Sequence, residues 1–350
     1  MKILFAITNL YKETGGSYRA FIETARAVYN KNVDIKITYL SDKLNKNNIS
    51  IPETYKGIDI IHFFGGWDYF SIKLILYAFY KKIKVVISPL GLYEPWSLSQ
   101  KKIKKKIAWY LYQKYILKKS DLIICSSLEE KKNILKLIKK DNVVSLPHGI
   151  NKSLTNYKKN FFEGKKKRAI FFSRIHKKKG LIELTTIWCK IKPKNWELII
   201  VGPEEDETKK TVLKIIKDNH NSSIKILQAI FNINEKRKLF LSADFFLLPS
   251  YSENFSYSII EALQFKLPVL TTKFTPWQSI KQHNAGWIVD NLQESLEKNL
   301  RDIFKLEKKD FEEKSKNCSK LLKRYYWDNL INKYLRKYKN LYNESSTNSS

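Results

Sequence analysis

Two carboxylates and two cations in the second half of the chain have the types and spacing for chemistry on an anion. Glu253 and Glu261 are separated by seven residues within FLLPSYSENFSYSIIEALQFKLPVLTT, residues 246–272. On one continuous helix they would lie about 12 Å apart along the axis, at a rise of ~1.5 Å per residue. With Glu253 on a loop ahead of the helix, both can face one pocket at the helix N-terminus. Unpaired N–H groups and the positive end of the dipole there suit a negative ligand. Arg174 and Lys179 lie five apart in SRIHKKKG, residues 173–180. Both can reach a single diphosphate, the arginine through its bidentate fork and the lysine as a point charge. Plainer readings stand beside these. Ser258-x-x-Glu261 also fits a helix capping box, and residues 174–179 also read as an ordinary basic loop.

The elements that must position these groups follow from the apolar pattern. Phe245 to Leu248 is a run of strand length ended by Pro249, residues 250–256 are turn-prone, and Ile259, Ile260, Ala262 and Leu263 give a helical face. Pro268 introduces the next strand, Val269-Leu270. Upstream, strands at 169–173, 196–201 and 224–227 alternate with helices at 180–191, 208–219 and 236–241, and Gly202-Pro203 ends the second of these strands. The first half alternates too. Strands are expected at 3–8, 35–40, 58–64, 85–88 and 122–125, helices at 18–29, 71–80 and 103–117, and Val143 to Pro147 closes the half. In the helix 18–29, Ala20, Phe21, Thr24, Ala27 and Val28 point inward. Such alternation predicts parallel sheets covered on both faces. Gly15-Gly16 follows the first strand and opens a helix, where glycine lets backbone N–H groups approach a phosphate; a plain turn fits as well. Beyond Asn291 the chain is expected to be helical at 292–306 and 311–342, with Tyr325, Tyr326 and Trp327 as packing residues and residues 343–350 as a disordered tail.

With strand, Pro-Ser-x-x-Glu-Asn-Phe-Ser, helix and Leu-Pro-Val in this order, the segment resembles the E-x7-E signature of retaining GT-B glycosyltransferases. It is most similar to family 4, the large bacterial group that builds lipopolysaccharide and other surface glycans. The resemblance implies an α/β fold of two Rossmann-like domains facing a cleft, residues 1–150 and 166–322. It also implies a last helix, 323–342, that crosses back to the first domain. In relatives the first glutamate lies against the donor sugar and the second holds the nucleotide ribose, which maps onto Glu253 and Glu261. The arginine and the last lysine before glycine, here Arg174 and Lys179, neutralise the donor diphosphate. The implied catalytic set is Glu253, Arg174 and Lys179. The implied donor-binding set adds Gly15, Gly16, Gly202, Asn254, Phe255, Ser256 and Glu261. No Asp-x-Asp motif is evident, so catalysis without a metal or other cofactor is expected, the nucleotide-sugar being a substrate.

Four features depart from relatives or lack an account. Ser256 stands where they usually carry glycine. The turn near Gln228-Ala229 differs, which leaves the nucleobase open. The run Glu204-Glu205-Asp206-Glu207 puts negative charge beside Gly202-Pro203. A histidine that many relatives carry after the strand 85–88 is missing, since the chain reads Ser88-Pro89-Leu90-Gly91 there. His62 reads as a buried structural residue and His148 as a domain-junction residue.

Composition narrows the partners. The 350 residues include 65 basic and 34 acidic side chains, a net charge of +31 that favours polyanions. Cys125, Cys189 and Cys318 are scattered, with neither a disulfide framework nor a zinc spacing, and a reducing, cytoplasmic location is expected. No run approaches the ~20 apolar residues of a membrane span, and the N-terminus lacks a signal-peptide cleavage site. Residues 101–119, KKIKKKIAWYLYQKYILKK, hold eight lysines and no acid. Ile103, Ile107, Tyr110, Leu111 and Tyr115 fall near one helical face. This is either a helix lying on an anionic membrane or one packed on the sheet with a solvated lysine face. The preceding Gly91-Leu-Tyr-Glu-Pro-Trp-Ser-Leu resembles an acceptor-side feature of family 4.

The expected activity is transfer of a sugar from a nucleotide-sugar to a hydroxyl of a glycan or lipid-linked acceptor, with retention. A sugar-nucleotide epimerase of the same fold is the first alternative. A nucleic-acid-binding protein is the second, though no nucleic-acid motif is present.

Overall fold

The structure, a computed structural model, describes residues 1–7, 15–39, 55–152, 159–164 and 166–347. It divides into two units, one comprising Met1–Asn151 with Tyr325–Ser350 and the other Lys152–Arg324.

The first unit is built on a parallel sheet of β1 (Lys2–Ile7), β2 (Asp34–Tyr39), β3 (Ile60–Phe64), β4 (Lys84–Ser88), β5 (Leu122–Cys125) and β6 (Val143–Ser145), in the order β2-β1-β3-β4-β5-β6. Its central strands are largely apolar because both faces are covered; all of Ile60–Phe64 and Leu122–Cys125 is buried. The helix Gly16–Tyr29 buries Ala20, Phe21, Thr24, Ala27 and Val28, the face expected for it, and also Ala25.

The last helix, Trp327–Thr347, belongs to this unit and packs on the helix Gly16–Tyr29 and on β3 and β4. Its fully buried Tyr338 places its hydroxyl 2.7 Å from His62 Nδ1, and His62 Nε2 lies 2.8 Å from Ser88 Oγ. Burial, with a smaller contribution from His148, lowers the His62 pKa to about 3, so this imidazole is a neutral structural link. Gly149 seats the start of the same helix. A Cβ there would lie 2.2 Å from the Trp327 ring.

The second unit is a parallel sheet of β7 (Lys167–Phe172), β8 (Trp196–Val201), β9 (Ile224–Leu227), β10 (Phe245–Leu248), β11 (Val269–Thr272) and β12 (Gly286–Val289). Read from one edge the order is β9-β8-β7-β10-β11-β12. The chain winds outward from β7 in one direction and from β10 in the other, so the crevice at their carboxyl ends is the topological switch point where α/β folds bind ligands. Under one face, Trp196 packs against Phe245, Phe304 and Phe311.

Several boundaries differ from expectation. The helix expected at 103–117 runs as Lys102–Ala108, a π-turn Trp109–Gln113, and Lys114–Lys119. The extra residue in the turn rotates the later part, so Gln113, Ile116 and Leu117 are buried. The helix expected at 311–342 is two, Lys308–Leu322 and Trp327–Thr347, separated by a 3-10 turn at Lys323–Tyr325. The tail expected from residue 343 is helical through Thr347, since a buried apolar face on Tyr334, Tyr338 and Leu341 carries the helix onward. The strand β12 and the helix Leu128–Leu137 were not legible as separate elements. Thr8, Leu40, residues 348–350 of the expected tail, and residues 153–158 and 165 between the two expected domains lie outside the described residues.

Candidate functional site

Two loops leave the sheet of the second unit at the switch point, one after β7 and one after β10. The first carries Arg174 and Lys179, the second Ser250 and Glu253. They are laced together by Tyr251 N, which donates to Lys178 O at 2.9 Å. Gly180 permits the close approach. Its φ is +67°, and a Cβ there would lie 2.0 Å from the Pro249 carbonyl oxygen.

At the centre of this junction Lys179 Nζ donates to Glu253 Oε1 at 2.6 Å, and Ser250 Oγ donates to the same oxygen at 2.6 Å. The two ionic side chains are 7% and 8% exposed, so the pair is largely withdrawn from water. Burial alone would raise the Glu253 pKa. The Lys179 charge and the two hydrogen bonds outweigh it and hold the carboxyl below its ordinary range. Glu253 is therefore a fixed anion beside a fixed cation.

The helix Tyr257–Gln264 follows Glu253 closely. Its N-cap is Ser256, with φ 65° and no capping hydrogen bond from its side chain. Ser256 thus adopts the left-handed conformation that a glycine takes without cost. Phe255 is fixed by Trp277 Nε1, which donates to its carbonyl at 2.5 Å. The capping-box reading of Ser258 and Glu261 does not hold, because Ser258 lies inside the helix. Glu261 instead accepts from Lys236 Nζ at 2.8 Å, in a pair 11% and 19% exposed. Lys236 comes from the helix Ile233–Ser242.

The acidic run after β8 now has an account. Gly202 passes so close to the β7 loop that a Cβ would lie 1.7 Å from the Ser173 carbonyl oxygen. Glu205 pairs with Arg174 Nη1, both side chains 42% exposed. Asp206 Oδ2 accepts from Lys177 N at 3.1 Å and lies 3.5 Å from His176 Nε2, while its Oδ1 accepts from Thr208 N at 3.0 Å. Glu204 lies 3.1 Å from Lys209 Nζ.

Of the expected site residues, the structure brings Lys179 and Glu253 into direct contact. Arg174 and Glu261 belong to the same unit and are engaged by Glu205 and Lys236. Gly202, Asn254, Phe255 and Ser256 lie on the loops that frame the switch point. Gly15, with φ +63°, and Gly16 open the first helix of the other unit. Ser250, Lys236 and Glu205 were missed by sequence reasoning. The pattern Ser250-x-x-Glu253 and the facing of an acidic run by a basic loop were available signals for two of them; Lys236 had none.

Residues 153–321 match the family model described as Glycosyl transferases group 1. The second unit is a group 1 glycosyltransferase domain. Across the chain, an uncharacterized glycosyltransferase of Haemophilus influenzae is 25% identical over 325 residues, 84% of this chain and 88% of that protein. Anabaena HepE, solved in complex with UDP-glucose, superposes with a TM-score of 0.74 at 14% identity over 97% of this chain and 100% of that one. WaaG, described as a glycosyltransferase involved in lipopolysaccharide biosynthesis, gives 0.69 at 14% identity over 95% and 98%. The two parallel-sheet domains are those of the GT-B fold, and the group 1 domain carries Lys179, Glu253 and Glu261.

Proposed function

We propose that this protein transfers a sugar from a nucleotide-sugar to a hydroxyl of a glycan or lipid-linked glycan, with retention of anomeric configuration, in the assembly of a lipopolysaccharide or another surface polysaccharide. The observation that carries the reading is the buried Lys179–Glu253 pair at the switch point of the group 1 domain. An isolated buried charge is costly, and two charges held together in a crevice are preorganised to act on a ligand's charge. HepE, which has this fold, is described in complex with UDP-glucose, and WaaG's description as a lipopolysaccharide enzyme supports the acceptor class.

In this reading Arg174, Lys179 and the helix N-terminus at Ser256 take the negative charge that grows on the leaving diphosphate. Glu253, oriented by Ser250 and Lys179, positions the sugar against that face. Glu261, oriented by Lys236, accepts from the ribose hydroxyls. Asn254, Phe255 and Gly202 supply backbone to the donor. The cationic side chains do the electrostatic work, so activity is expected to persist in a chelator.

The first unit supports attachment to an anionic membrane. Ile103, Ile107, Tyr110 and Leu111 are between 55% and 77% exposed, so the helix does not bury this face on the sheet. Lys101, Lys102, Lys104 and Lys106 surround it in solvent, whereas Lys105 turns back to donate to the Ser97 carbonyl at 2.5 Å. Among the described residues no helix is long and apolar enough to cross a membrane. An apolar face rimmed by lysines lies in the interface instead. A thermal-stabilisation screen of UDP-, GDP- and ADP-sugars tests the donor reading and identifies the base. If none stabilises the protein, the reading fails.

A further inference from the structure

The Arg174–Glu205 pair is built rather than incidental. Ile175 N donates to Pro203 O at 2.8 Å and Glu205 N to Ile175 O at 3.1 Å, so the segment after β8 runs stitched along the segment after β7. The absence of a side chain at Gly202 and the Asp206 bonds to Lys177 and Thr208 fix the same register. The backbone thus delivers the Glu205 carboxylate to Arg174 at the edge of the β7–β10 crevice. As a contribution to stability the pair is weak, because both side chains are substantially exposed. Its effect falls on whatever anion approaches Arg174.

Building on the donor reading above, we propose that Glu205 is a placeholder for the nucleotide diphosphate. It occupies the Arg174 guanidinium when the site is empty and must be displaced when the diphosphate binds. The carboxylate keeps the arginine oriented toward the crevice, and its like charge weakens the complex with the nucleoside diphosphate product. Release of that product is a step that limits many enzymes, so a competing carboxylate favours turnover over tight product binding.

Calorimetry at low ionic strength with UDP, GDP and ADP, and with the matching nucleoside as control, tests this on the wild type, Glu205→Gln, Arg174→Ala and the double variant. Glu205→Gln is expected to tighten the bound diphosphate about fivefold or more, by removing a like charge from an anion site. Nucleoside binding stays unchanged, and the gain disappears in the double variant. Glu205→Asp is expected to keep most of the wild-type affinity. A loop merely disordered by the substitution would lose affinity rather than gain it. If Arg174→Ala weakens the diphosphate and Glu205→Gln leaves it unchanged or weaker, the placeholder role is overturned while the donor site stands. If Arg174→Ala binds like wild type, the donor reading itself falls, and this inference with it.

Discussion

Lys179 Nζ meets Glu253 Oε1 at 2.6 Å between two loops that are 74 residues apart in sequence. Because both side chains are nearly buried, each is the other's counter-charge. Replacing Glu253 by Gln leaves Lys179 with a neutral partner in a dry setting. The expected loss is about 1–3 kcal/mol of stability, the scale of a charged hydrogen bond. Urea unfolding of the variant checks it. A midpoint equal to wild type would mean that the pair is far more hydrated than its burial indicates.

Glu261→Gln is expected to weaken binding of the nucleoside diphosphate by roughly 1–3 kcal/mol, about ten- to hundredfold. Calorimetry with the diphosphate that the wild type selects provides the measurement. Unchanged affinity in the folded variant would assign Glu261 to the Lys236 pair alone.

Ser256→Gly is expected to stabilise the protein by about 0.5–1 kcal/mol. The left-handed conformation costs an L-residue roughly 1–2 kcal/mol, and the greater chain entropy of an unfolded glycine offsets part of the gain. A higher denaturation midpoint at unchanged slope would show this. A lower midpoint would mean that the Ser256 Oγ to Ser258 Oγ contact at 3.2 Å matters more than backbone strain.

The second unit was more legible than the first. Its strands end in Pro249 and Gly202-Pro203, and its chemistry sits on loops whose residue types are unusual, so fold and site could be read together. Partners were harder to read. An acidic run and a basic loop signal that the two can pair, but which glutamate reaches Arg174 depends on Gly202 passing Ser173 at close range. The five apolar residues grouped on the lysine helix, Ile103 through Tyr115, are all exposed. The π-turn at Trp109–Gln113 was not legible, because a regular 3.6-residue period carries no sign of it, and Gln113, Ile116 and Leu117 are buried around it. The tail was misread because a run of polar residues carries no periodic signal, although the helix before it has a buried face to extend.

In the first unit Glu130 gives a pH dependence. It is buried and accepts from Gly91 N at 2.5 Å and Ser126 N at 2.7 Å. Burial raises its pKa from 4.5 to about 7; the two backbone bonds oppose the rise and Glu94 adds to it. With the folded pKa above the unfolded one, the native state holds more protons between these values. This group's contribution therefore falls as pH rises from about 4.5 to about 7, and is flat outside that window. Thermal unfolding across pH 4–8 is expected to show a shallower decline for Glu130→Gln than for wild type. Parallel profiles would contradict it.

Replacing Lys101, Lys102, Lys104 and Lys106 together by Gln is expected to abolish salt-sensitive binding to anionic vesicles. Each lysine adds about 1 kcal/mol near such a surface, within a Debye length. Co-sedimentation at low and high salt decides. Wild-type protein left in the supernatant at low salt would make the helix a solvated surface element.

The most direct measurement is nucleotide-sugar turnover by the wild type, Arg174→Ala and Lys179→Ala, with product nucleotide as the readout and a lipid-linked glycan extract as acceptor. Wild-type protein is expected to release nucleoside diphosphate only when acceptor is present. Each substitution should cut the rate by a factor on the order of 10², and the double variant should lose less than the product of the two. Near-wild-type rates in either single variant would contradict the account, as would donor consumption without acceptor.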